Sequence, residues 1–226
     1  MLSPLLACLL AAVEPADPIS EWARFESMVR DQTIRKAGAE KQLGILYAAL
    51  KDLCGNYPFQ PQTSWHFPVQ GYGVKDLGAG GFRSRGYDFY DGNRHGGHPA
   101  YDIFIRDRNQ DALDDRTLRP VTVLAPVDLL ILSAEKHWKP GSAIRGGRYI
   151  WALDPAEDRL FYFAHLNDVR TGAGAFHKAG SVIGTIGRTG KNALPARSPT
   201  HLHFMVLQVK GTILVPLDYR KHLPSQ

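Results

Sequence analysis

Residues 121–132 read Val-Thr-Val-Leu-Ala-Pro-Val-Asp-Leu-Leu-Ile-Leu, two short apolar runs on either side of Pro126. β-Branched and aliphatic residues in such runs predict two strands, and the proline between them predicts a turn. No helical pattern fits between the two runs, which favours an antiparallel sheet.

The same texture continues on both sides of this stretch. Further apolar runs are short, rich in β-branched or aromatic residues, and bounded by Gly, Pro or Asp: Tyr149–Leu153, Leu160–Leu166, Val182–Ile186 and Leu202–Val209. No helical pattern separates these runs either. From about Tyr101 onward, the sequence therefore predicts a mainly β fold built on an antiparallel sheet.

The sequence before the strands is different. Between residues 18 and 56, apolar residues recur at three- and four-residue steps and predict helices that pack on a core: Trp22, Phe25, Met28, Val29, Leu43, Leu46, Leu50 and Leu53. Gly38 is interpreted as a weak point in this segment and Gly55 as its end. Residues 57–97 are rich in Gly, Pro, Asp and Asn and predict a long loop. We therefore expect a helical segment at 18–56 and one larger domain at 57–226.

The first residues, 1–17, are a candidate export leader. Leu2–Val13 is almost wholly apolar and too short to span a membrane, but no Lys or Arg precedes it. Leu5–Cys8 resembles a lipoprotein cleavage box, although the apolar run continues past Cys8. A short buried N-terminal helix is the alternative interpretation. Export would place the protein in the periplasm, outside the cell or in the cell envelope, with membrane contact only if it carries a lipid anchor.

Composition excludes several classes of protein. Two cysteines, Cys8 and Cys54, cannot form a disulfide scaffold or a cysteine-based zinc knuckle. No apolar run approaches the roughly 18–20 residues of a spanning helix. The 27 Lys and Arg exceed the 22 Asp and Glu, for a net charge of +5 and a pI near 9.2. This excess favours polyanionic surroundings, but the basic residues are scattered and predict no nucleic-acid partner.

Histidines supply the first candidate for chemistry. In the run His201-Leu-His203-Phe204, a strand would direct both histidines to one face and Leu202 and Phe204 to the other. Two imidazoles rooted side by side in a strand suit a metal site. The His-x-His pattern alone also arises by chance.

A second candidate precedes the strands. His98 and Asp102 are four residues apart, and this spacing places them on one face of either a strand or a helix. Gly96-Gly97 allows a sharp turn or a close backbone approach just before His98. The alternative is a surface histidine near an aspartate that caps a strand. His95 could also bind metal, but a three-residue step from His98 directs it to the opposite face of an extended chain, so we interpret it as a groove residue.

Histidine and aspartate side chains suit Zn²⁺, and three protein ligands leave a fourth position open to water. His165, at the end of the apolar run 161–166, would by itself more often be a structural histidine. No G-x-S-x-G nucleophile elbow is present, which weakens a covalent hydrolase hypothesis.

The order of these motifs is informative. His-x-x-x-Asp, then Tyr-x-x-His-Leu, then His-Leu-His-Phe, with the turn at Ala125-Pro126 and the glycine-rich run 179–190, resembles the lysostaphin-type (LytM-like) zinc metallopeptidases, which cut peptidoglycan cross-links. The resemblance covers roughly residues 86–219. The sequence departs from the family pattern at Asp128, where glycine is usual, at Met205, where an acid is usual, and in a longer segment between Gly190 and His201.

The resemblance implies a mainly β metallopeptidase domain with one Zn²⁺ per chain, bound by His98, Asp102 and His203. It implies that His165 and His201 flank the open position as catalytic residues, one taking the proton of the attacking water and the other stabilising the oxyanion. We prefer His201 as the base. The implied function is hydrolysis of peptide cross-links in peptidoglycan; the alternative is a catalytically silent cell-wall module that activates other hydrolases.

Overall fold

The structure, a computed structural model, describes residues 17–224, so the candidate leader lies outside the described residues except for Asp17. The predicted helical segment is present as two helices, Pro18–Arg30 (α1) and Lys36–Cys54 (α2). Asp17 caps α1, because its carboxylate accepts hydrogen bonds from the backbone N–H groups of Ile19 and Ser20. Within residues 17–224, no helix has both the length and the apolar character needed to cross a bilayer.

The break between the helices differs from the prediction. Gly38 lies inside the first turn of α2, and the chain turns instead at Gln32, whose φ is 58°. The Gln32 side-chain amide donates hydrogen bonds to the carbonyl oxygens of Val29 and Tyr90, at 2.8 and 2.9 Å. A long-range contact to Tyr90 therefore fixes the turn, whereas Gly55 caps the end of α2 as predicted.

The strands confirm the mainly β prediction. They are Ala100–Phe104 (β1), Leu113–Asp114 (β2), Arg119–Pro120 (β3), Thr122–Leu124 (β4), Leu129–Glu135 (β5), Arg148–Asp154 (β6), Arg159–Val169 (β7), Phe176–His177 (β8), Val182–Ile186 (β9), His201–Lys210 (β10) and Ile213–Pro216 (β11). All paired strands are antiparallel. The main sheet has the order β1-β10-β7-β6-β5-β8, with β11 beside β10, β9 beside β7 and β4 beside β9; β2 and β3 form a separate ribbon.

The sheet carries a core on each face. Side chains alternate along β7 and β10. Phe161, Phe163 and Phe204 therefore lie on one face of the sheet, in a cluster of buried apolar residues. On the opposite face, α1 and α2 cover the sheet, and Trp22 packs edge-on against Trp151 with ring centroids 6.1 Å apart. The helical segment therefore shares a core with the sheet, and the division of the chain into 18–56 and 57–226 stays a prediction.

The long loop predicted at residues 57–97 is present and contains only short 3₁₀ turns, at Val74–Asp76 and Phe89–Arg94. Its backbone forms isolated antiparallel bridges, Leu77 with Ile103 and Arg83 with His98. These bridges tie the loop to β1 and to the residues just before it.

The contact between α1 and the sheet gives a stability prediction. Trp22 is 0% exposed, so Trp22→Ala should lower the free energy of unfolding by about 3–5 kcal/mol, through lost apolar burial and a residual cavity. Ile45→Ala is the control, because Ile45 on α2 is 66% exposed and should change stability little. Urea denaturation measures both variants. A Trp22→Ala cost no larger than the Ile45→Ala cost would show that α1 is not docked as described.

Candidate active site

The register of β1 and β10 builds the centre of the site. Asp102 in β1 lies directly opposite His203 in β10, and on its other side His203 lies opposite Ala164 in β7. Side chains directly opposite each other in an antiparallel pair have Cβ atoms about 5 Å apart, so Asp102 and His203 must meet. His201, two residues earlier, shares the sheet face of His203, and both line one cavity as the alternation predicts.

His98 reaches the same place from the chain just before β1. Its backbone exchanges two hydrogen bonds with Arg83, at 2.7 and 2.9 Å. Gly97 has φ of 69°, and a Cβ there would lie 2.7 Å from the Arg85 carbonyl oxygen, so only glycine allows this close approach. The result is that His98 Nε2 lies 3.3 Å from Asp102 Oδ1.

Three donor atoms converge at this point. His203 Nδ1 lies 3.0 Å from Asp102 Oδ1, and the ligand atoms of His98, Asp102 and His203 all lie within 4.8 Å of one another. Zinc bonds to imidazole nitrogen and carboxylate oxygen are about 2.0–2.2 Å long, so ligand atoms at tetrahedral angles stand about 3.3–3.5 Å apart. The donor types and their separations therefore fit a zinc ion.

The charge state of the cluster also fits a metal. Burial opposes ionisation of Asp102, but the hydrogen bonds of His203 and His98 outweigh it, so the pKa of Asp102 lies well below its usual value. Burial lowers the pKa of His203 and favours its neutral form. The hydrogen bond to Asp102 raises the pKa of His98. Metal ligands must be deprotonated, so a metal would compete with a proton chiefly at His98.

His165 reaches the cavity through a β-bulge. Strand β7 carries two residues, Ala164 and His165, opposite the single residue Tyr149 of β6. The register of the two strands shifts at this point. Simple alternation would direct His165 to the face of Phe163, away from the cavity. With φ of 65° at His165, the bulge turns the imidazole to the side of Ala164 instead, and both residues line the cavity.

The polar partners of the two remaining histidines define their tautomers. His165 Nδ1 lies 2.8 Å from the Thr189 carbonyl oxygen, and His201 Nδ1 lies 2.7 Å from the Pro199 carbonyl oxygen. A carbonyl oxygen only accepts, so in each ring Nδ1 carries the hydrogen and neutral Nε2 keeps a lone pair. His201 Nε2 lies 3.8 Å from Asp102 Oδ1 and so faces the donor cluster. Burial lowers the pKa of His165 to about 3, which keeps it neutral.

All the site residues predicted from the sequence line one cavity of about 360 Å³: His98, Asp102, His165, His201 and His203. His95 lines it too, as a groove residue outside the group of three donor atoms. The sequence analysis missed Glu26 and Arg30 on α1 and Tyr149 on β6, which also line the cavity. A signal for them existed, since Glu26 is a charged residue on the otherwise apolar stripe of α1.

Two departures from the family pattern lie in the cavity wall. The long segment after Gly190 contributes Asn192 and Ser198, and Arg188 holds it by donating to the Ser198 carbonyl oxygen at 2.7 Å. The same segment supplies the Pro199 carbonyl that orients His201. Met205 is buried in the wall, on the same side of β10 as His203. The wall beside the cluster is therefore apolar where an acid would be charged.

Comparisons with known proteins were made with the whole chain. No family model matches it, and no curated protein matches it. In fold, this chain is similar to lysostaphin-type peptidases. The similar structures include a candidate glycyl-glycine endopeptidase, LytM, from Ruminococcus gnavus, at 19% identity over 92% of this chain and 82% of that one, with a TM-score of 0.45.

They also include lysostaphin from Staphylococcus simulans, at 22% identity over 65% of this chain and 48% of that one, and a peptidase M23 candidate from Pseudomonas aeruginosa, at 15% identity over 81% and 62%; both have TM-scores of 0.40. This chain thus spans about half of the lysostaphin structure and under two thirds of the Pseudomonas one. The likeness is one of fold, and what the site can do follows from its own residues.

The support of His165 gives a prediction. Gly147, next to the Gly146 carbonyl that accepts the His165 N–H, has φ of 71°, and a Cβ there would lie 2.3 Å from the Thr189 carbonyl carbon. Gly147→Ala should therefore cost about 2 kcal/mol or more and displace the carbonyl that holds the His165 ring.

Gly141→Ala is the matched control, because Gly141 also has positive φ, 92°, but a Cβ there would meet nothing within 4 Å. It should show only the left-handed strain of about 1 kcal/mol. Urea denaturation and the imidazole NMR signals of His165 measure the difference. Equal costs, with unshifted His165 signals in Gly147→Ala, would contradict this account of the loop.

Proposed function

We propose that this protein is a zinc-dependent endopeptidase that hydrolyses peptide cross-links of bacterial peptidoglycan. One observation carries the proposal: three metal-type donor atoms converge in a cavity that also holds two imidazoles, His165 and His201, outside the donor set. A site that only bound metal for structure would use four protein ligands and would need no further imidazoles beside them.

In this proposal His98, Asp102 and His203 hold one Zn²⁺ per chain. When bound there, zinc polarises a carbonyl group and lowers the pKa of a water molecule to about 7. The Gly81 carbonyl oxygen lies 3.5 Å from His98 Nδ1, which leaves Nε2 as the donor atom. Backbone partners of this kind fix the orientation of ligand imidazoles.

His201 takes the role of general base. Its Nδ1–H is held by the Pro199 carbonyl, so its Nε2 lone pair is free to accept a proton on the side of the cluster. The nearby Asp102 carboxylate stabilises the imidazolium that results. His165 has the same tautomer, so its neutral Nε2 can accept a hydrogen bond from the attacking water. Stabilising an oxyanion would require a proton on this nitrogen, and burial of the ring opposes that protonation.

The substrate class rests on the motifs and on charge. The ordered motifs between residues 86 and 219 resemble peptidases that cut peptidoglycan, and the net charge of +5 suits an acidic polymer. We propose accordingly that the protein acts outside the cytoplasm, at the cell wall.

Metal dependence is the first test of the proposal. Freshly purified protein should contain about one zinc per chain and release peptides from isolated peptidoglycan. A chelator should stop the release, and added zinc should restore it. Zinc-free protein that cuts at the full rate would refute the metal mechanism. One zinc per chain without any cleavage would point to a latent hydrolase or to a different peptide substrate, whereas no zinc and no cleavage would favour the silent cell-wall module.

Substitutions separate the metal ligands from the base. Asp102→Ala and His203→Ala should lose zinc and activity together. His201→Ala should keep zinc and slow turnover by about 10² or more, the usual effect of removing a general base. His137→Ala is the control, since His137 is exposed and is not among the residues that line the cavity. The ligand assignment would be wrong if His201→Ala lost zinc while His98→Ala kept it.

A further inference from the structure

The cavity extends from the donor cluster to α1. The Tyr162 ring lies 6.2 Å from the His203 ring, and the Tyr149 ring lies 5.4 Å from that of Tyr162. Beyond Tyr149 lies the carboxylate of Glu26. We refer to this end of the cavity as the aromatic pocket, formed by Glu26, Tyr87, Tyr149, Trp151 and Tyr162.

Glu26 is a buried carboxylate that forms no direct salt bridge with any residue between 17 and 224. It is 6% exposed, and one of its oxygens accepts a hydrogen bond from the Tyr149 hydroxyl at 2.6 Å. The nearby Arg30 guanidinium makes two hydrogen bonds to Asp31, at 2.7 and 2.8 Å, and its Nη1 donates to the same Tyr149 hydroxyl at 2.8 Å, so it reaches Glu26 only through that hydroxyl. Burial raises the pKa of Glu26 to about 7. A carboxylate in this situation gains most from a neighbouring cation.

The walls of the aromatic pocket suit a cation as well. Tyr149, Trp151 and Tyr162 pack against one another and all three line the cavity. Aromatic faces carry partial negative charge and attract ammonium groups. The hydroxyls of Tyr87 and Tyr162 make no hydrogen bond with any residue between 17 and 224, so they are available to a bound group.

We propose that the aromatic pocket is a specificity subsite for a substrate side chain that is aliphatic and ends in an amino group. The ammonium group would bind Glu26 and the aromatic faces, while the aliphatic stem would lie along Tyr162 toward the donor cluster. The Tyr162 ring lies between the His203 and Tyr149 rings, so an apolar stem would run along it. The inference rests on the proposed peptidase function, because the subsite would position the peptide for cleavage.

The charges that line the cavity make an acidic side chain the competing occupant. Arg145 also lines it, and its Nη1 donates to the Asn93 carbonyl oxygen at 2.5 Å. An acidic side chain would be attracted by Arg145 but repelled by Glu26 at the base of the pocket. Arg30 is paired with Asp31 and donates to the Tyr149 hydroxyl, so its guanidinium is already occupied by hydrogen bonds. The aromatic walls and Glu26 together favour the amino group.

Binding of small peptides tests the subsite without any need for cleavage. Acetyl-Gly-Lys-Gly-amide and its norleucine and glutamate counterparts would be titrated into the zinc-loaded full chain and followed by calorimetry and by Trp151 fluorescence. The lysine peptide should bind about tenfold or more tightly than the norleucine peptide, which has a methyl group in place of the ammonium. Equal binding, or no binding of any peptide, would overturn the proposal, and preference for the glutamate peptide would overturn it in favour of Arg145.

A pair of variants on α1 ties the preference to one carboxylate. Glu26→Gln keeps the shape of the side chain and removes its charge, so the preference for lysine over norleucine should fall to near unity. Glu21→Gln, the same change at a position outside the cavity, should retain it. Retention of the preference in a folded Glu26→Gln variant would assign it to another group. The comparison of peptides in the wild-type protein stands even if this variant is unstable.

Cleavage of modified peptidoglycan separates the subsite from the proposed function. Peptidoglycan whose free amino groups have been acetylated should be cut about tenfold more slowly than the untreated polymer. Equal rates would overturn the subsite and leave the peptidase function in place. Preference for the lysine peptide without cleavage of either polymer would retain the subsite and refute the peptidase function.

Discussion

The antiparallel register of β1 and β10 is the constraint on which the site depends. Asp102 faces His203 because the two strands pair in this register, and a slip by one residue would turn one of them to the other face of the sheet. The neighbours of these residues prevent such a slip, since Ile103 and Phe204 are fully buried in the core on the opposite face. The apolar packing therefore positions the polar site, and the cluster can hold a low-pKa carboxylate beside two imidazoles without having to stabilise its own geometry.

The bulge at His165 adds a second constraint. A non-glycine residue with positive φ inside a strand costs about 1–3 kcal/mol, which the surrounding structure must offset. It is held on both sides: its N–H donates to the Gly146 carbonyl, and its ring is bound by the Thr189 carbonyl. Thr189 is itself fixed, since its hydroxyl donates to the Leu166 carbonyl oxygen at 2.7 Å. The imidazole is thus held in one orientation and in its neutral form beside the donor cluster. A side chain that acts on one bound atom needs such a fixed position.

The sequence predicts those parts of the molecule that depend on local periodicity. Alternation alone places His201 and His203 on one face, and the four-residue step brings His98 to Asp102. Alternation gives the wrong face for His165, because the bulge that turns this residue depends on contacts with a loop more than twenty residues away. It fails at the turn between the helices for the same reason, since Gln32 bonds to Tyr90. The register of the strands and the placement of α1 over the cavity are long-range properties, which no spacing within one segment contains.

The position of Glu26 follows from the way α1 packs. Trp22, Phe25 and Val29 bury one stripe of the helix against the sheet, and Glu26 lies on that stripe. An apolar residue there would avoid the cost of desolvating a carboxylate and would satisfy the helix packing as well. The hydrogen bond from Tyr149 satisfies one of the Glu26 oxygens, and the cavity leads from this carboxylate to the cluster of catalytic-type side chains. Such conflicts between local packing rules and residue choice are expected at functional sites. The helix is thus a wall of the site as well as a support for the sheet.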